Sequence, residues 1–270
     1  MQFYQHPELY FGLRSPSSQH YEAIRRIITA HLRGPLQRVM DPACGPATWL
    51  LPFARDGLRV AGNDLYPEMV DWAKRTLAGH PCEITQGDMC DLHFRGGPFD
   101  VALEVGGGLP HLPGAAALLR NWRSVLTHLR PGGLYLLLLF VARAEELTGP
   151  VLCHQSPWVS VPGGGRAAIS YEIVRRDPAQ GTELIRRTVR CQGVPGCPPQ
   201  LEDCYEVHCY SAAQLRQMVA RLPEAELAAV YEIDEHDQEH PVDLQAQPLE
   251  AVLVLRRLPS SSPRPAGGER

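Results

Sequence analysis

Short aliphatic and β-branched runs alternate with stretches of helical period through the first half of the chain. Residues 37–41, 58–64, 82–88 and 99–105 read as strands, and 48–55, 67–77 and 115–129 as helices. In the last of these helices Ala116, Leu119, Trp122, Val125 and Leu129 fall on one face. Residues 134–141 are apolar at every position, as in a strand buried on both faces of a sheet. An amphipathic helix over 21–32 precedes the first strand. This order predicts an α/β domain whose parallel sheet is covered by helices on both faces.

The pattern changes after Trp158. Residues 167–176 and 183–190 alternate apolar and polar positions around the turn segment 177–181, which predicts an antiparallel hairpin. A loop rich in proline and glycine, 192–200, leads to a third strand over 203–210. Ser211 and Gln214 have capping-box spacing for a helix over 212–222, and 227–233 and 251–256 return to strand character. The chain therefore divides into 1–150, a core behind an N-terminal segment; 151–210, an inserted antiparallel lobe; 211–258, a return to the core sheet; and 259–270, a tail of serine, proline and glycine expected to be disordered.

At 270 residues the chain is long enough to bury a core without a metal or disulfide framework. A net charge of -4 gives no global attraction for polyanions, so nucleic acid is not expected as a partner. The longest apolar run, 134–142, is far short of the roughly 20 residues that span a bilayer, so neither a membrane nor export is expected and the location reads as cytoplasmic. Eight scattered cysteines agree with a reducing compartment. Cys191, Cys197, Cys204, His208 and Cys209 lack the short gaps of zinc knuckles, so no metal is expected there. His236 and His240, among Asp234, Glu235 and Asp237, read as a polar loop.

Chemistry concentrates at the ends of the first four strands. Val39 to Thr48 runs from a strand through small residues into a helix, which lets a ligand approach backbone and offers free amides. Asp41 ends the first strand and is placed to hold an ammonium group or to order water. Asp64 ends the second, where a carboxylate can accept both hydroxyls of a ribose. Asp88 ends the third, beside Met89, placed for an adenine amino group and ring. After the fourth come Glu104, Val105, Gly106, Gly107 and Gly108 and then His111, which is a base, an orienting group or a packed histidine.

On these residues the run from Val39 to Val141 resembles the core of class I S-adenosylmethionine-dependent methyltransferases. The family's acidic-x-Gly-x-Gly-x-Gly loop falls on Asp41, Ala43, Gly45 and Ala47, with two alanines where glycine is usual. An alanine leaves less room and has no easy access to positive φ. Asp64 takes the place of the ribose acid, Asp88 that of the adenine-side acid, and Pro131-Gly132-Gly133 that of the turn before the fifth strand. The resemblance implies a Rossmann-like, seven-stranded, mostly parallel sheet. It implies S-adenosyl-L-methionine as cofactor, bound by Tyr10, Tyr21, Asp41, Ala43, Gly45, Ala47, Asp64, Leu65, Met69, Asp88, Met89, Glu104, Val105 and Gly106, with His111 and Glu104 as catalytic candidates.

An N-terminal segment with Tyr4, Tyr10 and Tyr21, and a lobe after the fifth strand, are similar to the lid and roof of amine methyltransferases resembling glycine N-methyltransferase and amino-sugar dimethyltransferases. On that basis the lid would serve the donor and the lobe the acceptor. Trp158, Tyr171, Tyr205 and Tyr210 of the lobe either face the acceptor or pack the hairpin, and Arg175, Arg176, Arg186 and Arg187 read as a solvated face. The expected partner is a small-molecule acceptor, with a homodimer left open. Two other classes stand beside this one. A nicotinamide dehydrogenase would share the fold but should carry Gly-x-Gly-x-x-Gly at the first turn. A non-catalytic scaffold would keep the fold without holding the donor.

Overall fold

The computed structural model describes residues 1–142, 150–234, 236–244 and 250–259. A short 3-10 helix (Gln2–Gln5) leads into α1 (Pro7–Arg14) and α2 (Ser18–His31). The chain then runs through β1 (Arg38–Asp41), α3 (Leu50–Arg55), β2 (Arg59–Asp64), α4 (Pro67–Thr76), β3 (Cys82–Gln86), β4 (Phe99–Glu104), α5 (Gly114–His128) and β5 (Leu129–Phe140). A lobe follows, made of β6 (Val151–Gln155), β7 (Val159–Ser160), β8 (Arg166–Asp177), β9 (Thr182–Gln192) and β10 (Gln200–His208). Finally α6 (Ala212–Ala220), β11 (Ala225–Ile233), β12 (Glu239–Pro241) and β13 (Glu250–Arg257) rejoin the main sheet.

The main sheet has the order β12-β11-β13-β5-β4-β1-β2-β3. Strands β1 to β5 pair in parallel, whereas β13 lies antiparallel to β5, and β11 to β13. The pattern of the sequence predicts seven strands, and β12 adds a three-residue eighth. Asp234 accepts the amides of His236 and Gln238, each at 2.9 Å, and turns the chain back on β11. His240 then bonds Asp234 at 2.9 Å, which gives this histidine a structural partner. Glu235 and the tail from 260 onward lie outside the described residues.

The unbroken apolar run of β5 follows from its position in the middle of the sheet. Leu134 and Leu136 point into the cluster formed with Ile24, Ile28 and Phe53 of α2 and α3. Tyr135, Leu137 and Leu139 point into the opposite cluster, with Trp122 of α5 and Leu215 of α6. Alternation with period 2 therefore meets apolar partners on both sides. Inside the second cluster the Tyr135 hydroxyl donates to Asn121 Oδ1 at 2.9 Å, and Asn121 Nδ2 donates to the Met89 carbonyl at 2.8 Å. The core thus reaches the loop after β3 through two hydrogen bonds.

In the lobe, β8 is central: β9, β6 and β7 all pair with it, and β10 pairs with β9. Val141 and Tyr210 form a parallel bridge, so the chain leaves the main sheet and returns at one point. Phe3 and Leu9 are buried against Val161, Ile169, Val189 and Leu201 of the lobe. The N-terminal segment and the lobe, expected to serve donor and acceptor separately, are packed as one body. Among the described residues no helix is long and apolar enough to cross a membrane.

Candidate functional site

A cavity of about 380 Å³ opens at the carboxyl ends of β1, β2 and β4, inside the roughly 300–1,000 Å³ range of small-molecule sites. Its wall includes Tyr4, Tyr10, Ala43, Gly45, Asp64, Leu65, Met69, Asp88, Met89, Gly106 and His111. Most of the residues that the sequence singles out therefore converge here. Gly107 and Gly108 of the expected glycine run line it as well, and so do Tyr66, Leu112 and Pro113, which the sequence did not single out.

The loop after β1 is held by the acid after it in sequence. Asp64 Oδ2 accepts the Gly45 amide at 2.8 Å, and Asp64 Oδ1 accepts the Tyr66 amide at 2.9 Å. The Leu65 amide also acts on this carboxylate, which keeps acceptor capacity left over for a ligand. Gly45 has φ +52, and a Cβ there would stand 3.4 Å from Tyr10 Cε1, so the missing side chain admits the lid tyrosine. Ala47 was expected to resist positive φ. It adopts φ 68 while wholly buried, so the surrounding fold imposes the turn at a cost of about 1–2 kcal/mol.

Asp41 and Glu104 lie beneath the cavity rather than in its wall. Asp41 is 4% exposed and accepts the Ala43 amide at 2.9 Å. Glu104 is 1% exposed and accepts the amides of Gly108 at 2.7 Å and Leu109 at 3.3 Å. A Cβ on Gly108 would stand 2.9 Å from Glu104 Oε1, so glycine is what lets the carboxylate brace this loop. Glu104 is accordingly a support of the loop, not a group presented to substrate. Burial pushes its carboxyl up to about 7. Burial, and then the charge of Glu104, push Asp41 well above the ordinary carboxylate range. Asp64 is raised as well, again by burial. Three acids with little water therefore share one floor, an arrangement that a cationic ligand would relieve.

Three further expectations are corrected. Tyr21 does not face the cavity: its hydroxyl donates to Asp56 Oδ2 at 2.7 Å and its ring packs edge-on to Phe53 at 4.9 Å. Val105 is buried in the core cluster beside α2 and α3. Ala47 is likewise out of reach of a ligand and acts through the backbone turn.

The lid side is aromatic. Tyr4 stacks against Tyr66 at 5.1 Å and bonds His111 Nε2 through its hydroxyl at 3.2 Å. The His111 ring lies 4.8 Å from Tyr205 of β10. Burial, followed by the charge of Arg187, pushes His111 down to about 4, so the ring is neutral near pH 7. Arg187, expected on a solvated face, is 2% exposed. A shallower depression of about 230 Å³ beside α2, lined by Ser18, Glu22 and Arg26, has no comparable convergence of groups. Cys191 and Cys197 approach to 3.4 Å, while Cys204 and His208 belong to β10.

The donor implied by the fold is tested by the charge and shape of this site. An ammonium and a sulfonium match the acidic floor, a ribose matches the free lone pairs of Asp64, and a thin ligand matches the glycine loops at 45 and 106–108. The residues present fit that molecule.

Comparison with known proteins agrees with this geometry. Residues 39–133 match the family described as methyltransferase domain. A putative methyltransferase, YqeM of Bacillus subtilis (strain 168), is 29% identical over 100 residues, covering 37% of this chain and 40% of that protein. The chain therefore aligns with less than half of that relative's length. An S-adenosylmethionine-dependent methyltransferase from Clostridium acetobutylicum superposes with a TM-score of 0.69 at 11% identity, over 90% of this chain and 93% of that one. CalS10, an amino pentose methyltransferase from Micromonospora echinaspora whose structure holds the donor, gives 0.64 at 20% identity, over 89% and 92%. Residues 39–133 thus match a methyltransferase domain, and the chain has the fold of the S-adenosylmethionine-dependent methyltransferases.

Proposed function

We propose that this protein transfers a methyl group from S-adenosylmethionine to a small-molecule amine. The observation that carries the proposal is the acidic floor of Asp41, Asp64 and Glu104 under a lid of tyrosines, a site built for a cation. When bound, S-adenosylmethionine supplies an electrophilic methyl on sulfur. Asp64 would accept the ribose hydroxyls, and Asp88 and Met89 would border the adenine. Asp41, with Glu104 behind it, would compensate the ammonium. Gly106 to Gly108 would give backbone access on the acceptor side. The likeness to an amino pentose methyltransferase supports an amine among acceptor classes.

An in-line displacement needs alignment at about 3 Å and exclusion of water more than it needs acid–base chemistry. His111 fits that requirement. A ring held neutral to about pH 4 is too weak a base to take a proton from an alkylammonium near pH 7. The amine must then enter deprotonated, and His111 orients the acceptor. Turnover should rise with pH up to the amine's own pKa.

The test is calorimetric titration with S-adenosylhomocysteine, followed by incubation of a panel of amines and alcohols with labelled donor and mass spectrometry of the products. Binding at micromolar affinity and methylated amines are expected. No binding would overturn the reading, and methylated alcohols alone would move the acceptor class from nitrogen to oxygen.

A further inference from the structure

Arg187 sits in β9, on the inner face of the lobe, and none of its atoms reaches the cavity wall. Its Nη2 donates to Asp203 Oδ2 at 2.6 Å. Asp203 also accepts the backbone amides of Gln2 at 2.8 Å and Phe3 at 3.2 Å, so this ion pair ties the start of the chain to β10. The guanidinium carbon stands 4.3 Å from the ring centre of Phe3, 4.8 Å from that of Tyr4 and 5.1 Å from that of Tyr205. Tyr4 and Tyr205 are also the two rings that hold His111.

A buried ion pair returns little stability against its desolvation, and here Arg187 Nε finds no hydrogen-bond partner among the described residues. What the pair does achieve is geometric. It fixes the backbone on which Tyr4 stands and puts a permanent cation beside the Tyr4 hydroxyl. A guanidinium has donors only and cannot accept the phenolic proton, whereas a neutral imidazole nitrogen can. The Tyr4 O–H therefore points to His111 Nε2, and the ring proton belongs on Nδ1.

We propose that Arg187 is a positioning residue for methyl transfer: with Asp203 it seats Tyr4 on His111 and fixes that ring as the neutral Nδ1–H tautomer. The ring nitrogen left for a ligand is then a donor. It matches an oxygen on the acceptor, such as a hydroxyl or carboxylate beside the amine, and leaves the amine lone pair free for the methyl. This last step rests on the amine reading above; the state of His111 does not.

The charged and titratable groups around His111 agree. Arg187 on β9 opposes protonation of the ring, and Tyr4 on the 3-10 helix and Tyr205 on β10 are themselves raised by burial. Arg14 on α1 and Tyr171 on β8 act on those two tyrosines, and Asp203 is held ionised, against its burial, by Arg187 and the amides of Gln2 and Phe3.

The experiment is long-range ¹H–¹⁵N spectroscopy of the full chain labelled at its histidines, titrated from pH 8 to 4, with the His111 signals assigned by their loss in His111→Gln. The wild type should show Nδ1–H and no titration above about pH 5. In Arg187→Gln the midpoint should rise by up to about one pH unit, burial still holding it below the ordinary value, and the tautomers should mix, while Arg187→Lys should keep the midpoint low. Tyr4→Phe leaves the ion pair intact, so it keeps the proposal testable if Arg187→Gln does not fold; there the proton should move toward Nε2 with little change in midpoint. A wild-type His111 that titrates near its ordinary 6.5, an unmoved midpoint in folded Arg187→Gln, or an unmoved tautomer in Tyr4→Phe would each overturn it. Calorimetry with S-adenosylhomocysteine on the same sample separates the two readings, because absence of donor binding would remove the methyltransferase proposal and leave the spectra to stand or fall alone.

Discussion

Replacing Glu104 by glutamine removes a charge from the acidic floor while keeping the shape of the side chain. Because burial lifts this carboxyl from 4.5 to about 7, the ionised form costs the folded state roughly 3 kcal/mol relative to the unfolded chain. The sign is that of a raised carboxyl: the contribution is favourable below the unfolded pKa and is lost as pH climbs through about 7. In the variant, Oε1 can still accept the Gly108 amide, but Nε2 would face the Leu109 amide that now donates to Oε2. That orphaned amide costs about 1–3 kcal/mol at any pH. At pH 5 the variant should therefore be less stable than the wild type by about 1–3 kcal/mol. At pH 8.5 the removed charge offsets that loss, and the two should be near parity or the variant ahead. Asp41, freed of the neighbouring charge, moves the balance the same way. Urea unfolding of both proteins without ligand at pH 5, 7 and 8.5 measures the difference, which should change by about 3 kcal/mol across the range. Parallel stability curves would show that Glu104 is not the strained carboxyl described here.

Asp64→Ala should weaken S-adenosylhomocysteine binding by about 1–3 kcal/mol, or 5- to 150-fold in Kd, and lower the melting temperature because the Gly45 and Tyr66 amides lose their acceptor; an unchanged Kd in folded protein would remove Asp64 from the donor site. Ala47→Gly should change stability by no more than about 1 kcal/mol, since relief of about 1–2 kcal/mol at positive φ is opposed by loss of a buried methyl, about 0.8, and by a floppier unfolded chain, about 0.4–1. A gain above 2 kcal/mol in thermal unfolding would mean that the turn is more strained than its geometry indicates. Asp203→Ala leaves Arg187 unpaired and frees the amides of residues 2 and 3, so hydrogen exchange over residues 3–13 should accelerate and donor affinity should fall. Exchange equal to wild type would show that the segment is held by Phe3 and Leu9 alone. Leu136→Ala, in the wholly buried middle of β5, should cost about 2–5 kcal/mol in denaturant titration; a loss below 1 kcal/mol would show that the sheet centre relaxes to fill the space.

What the sequence discloses and what it hides divide by range. The strands of the core show themselves because each carries its own apolar alternation, and β5 shows that it is central because its alternate residues both need apolar partners. The acids at 41, 64 and 88 are legible because they stand at strand ends in a fixed order. Tyr21 was misplaced because its partners, Asp56 and Phe53, lie on α3, and nothing local to residue 21 names them. The N-terminal helix α1 hides in a short segment of mixed character, and β6 and β7 lack a strong alternation of their own.

Arg187 is the instructive miss, because a signal was present. Ile185, Arg187, Val189 and Cys191 are buried at successive alternate positions of β9, so the strand's own period puts one cation among apolar residues. A charge on the inner face of a strand is costly unless a partner is built for it. Here that partner, Asp203, also grips the first residues of the chain, more than a hundred and eighty positions away in sequence. The consequence reaches the cavity: the segment carrying Tyr4 cannot lift from it without either breaking that grip or taking the lobe with it. On the proposed methyltransferase reading the lobe and the N-terminal segment should open together, so removing the lobe should weaken donor binding as well as turnover, contrary to what a separate lid and roof would give.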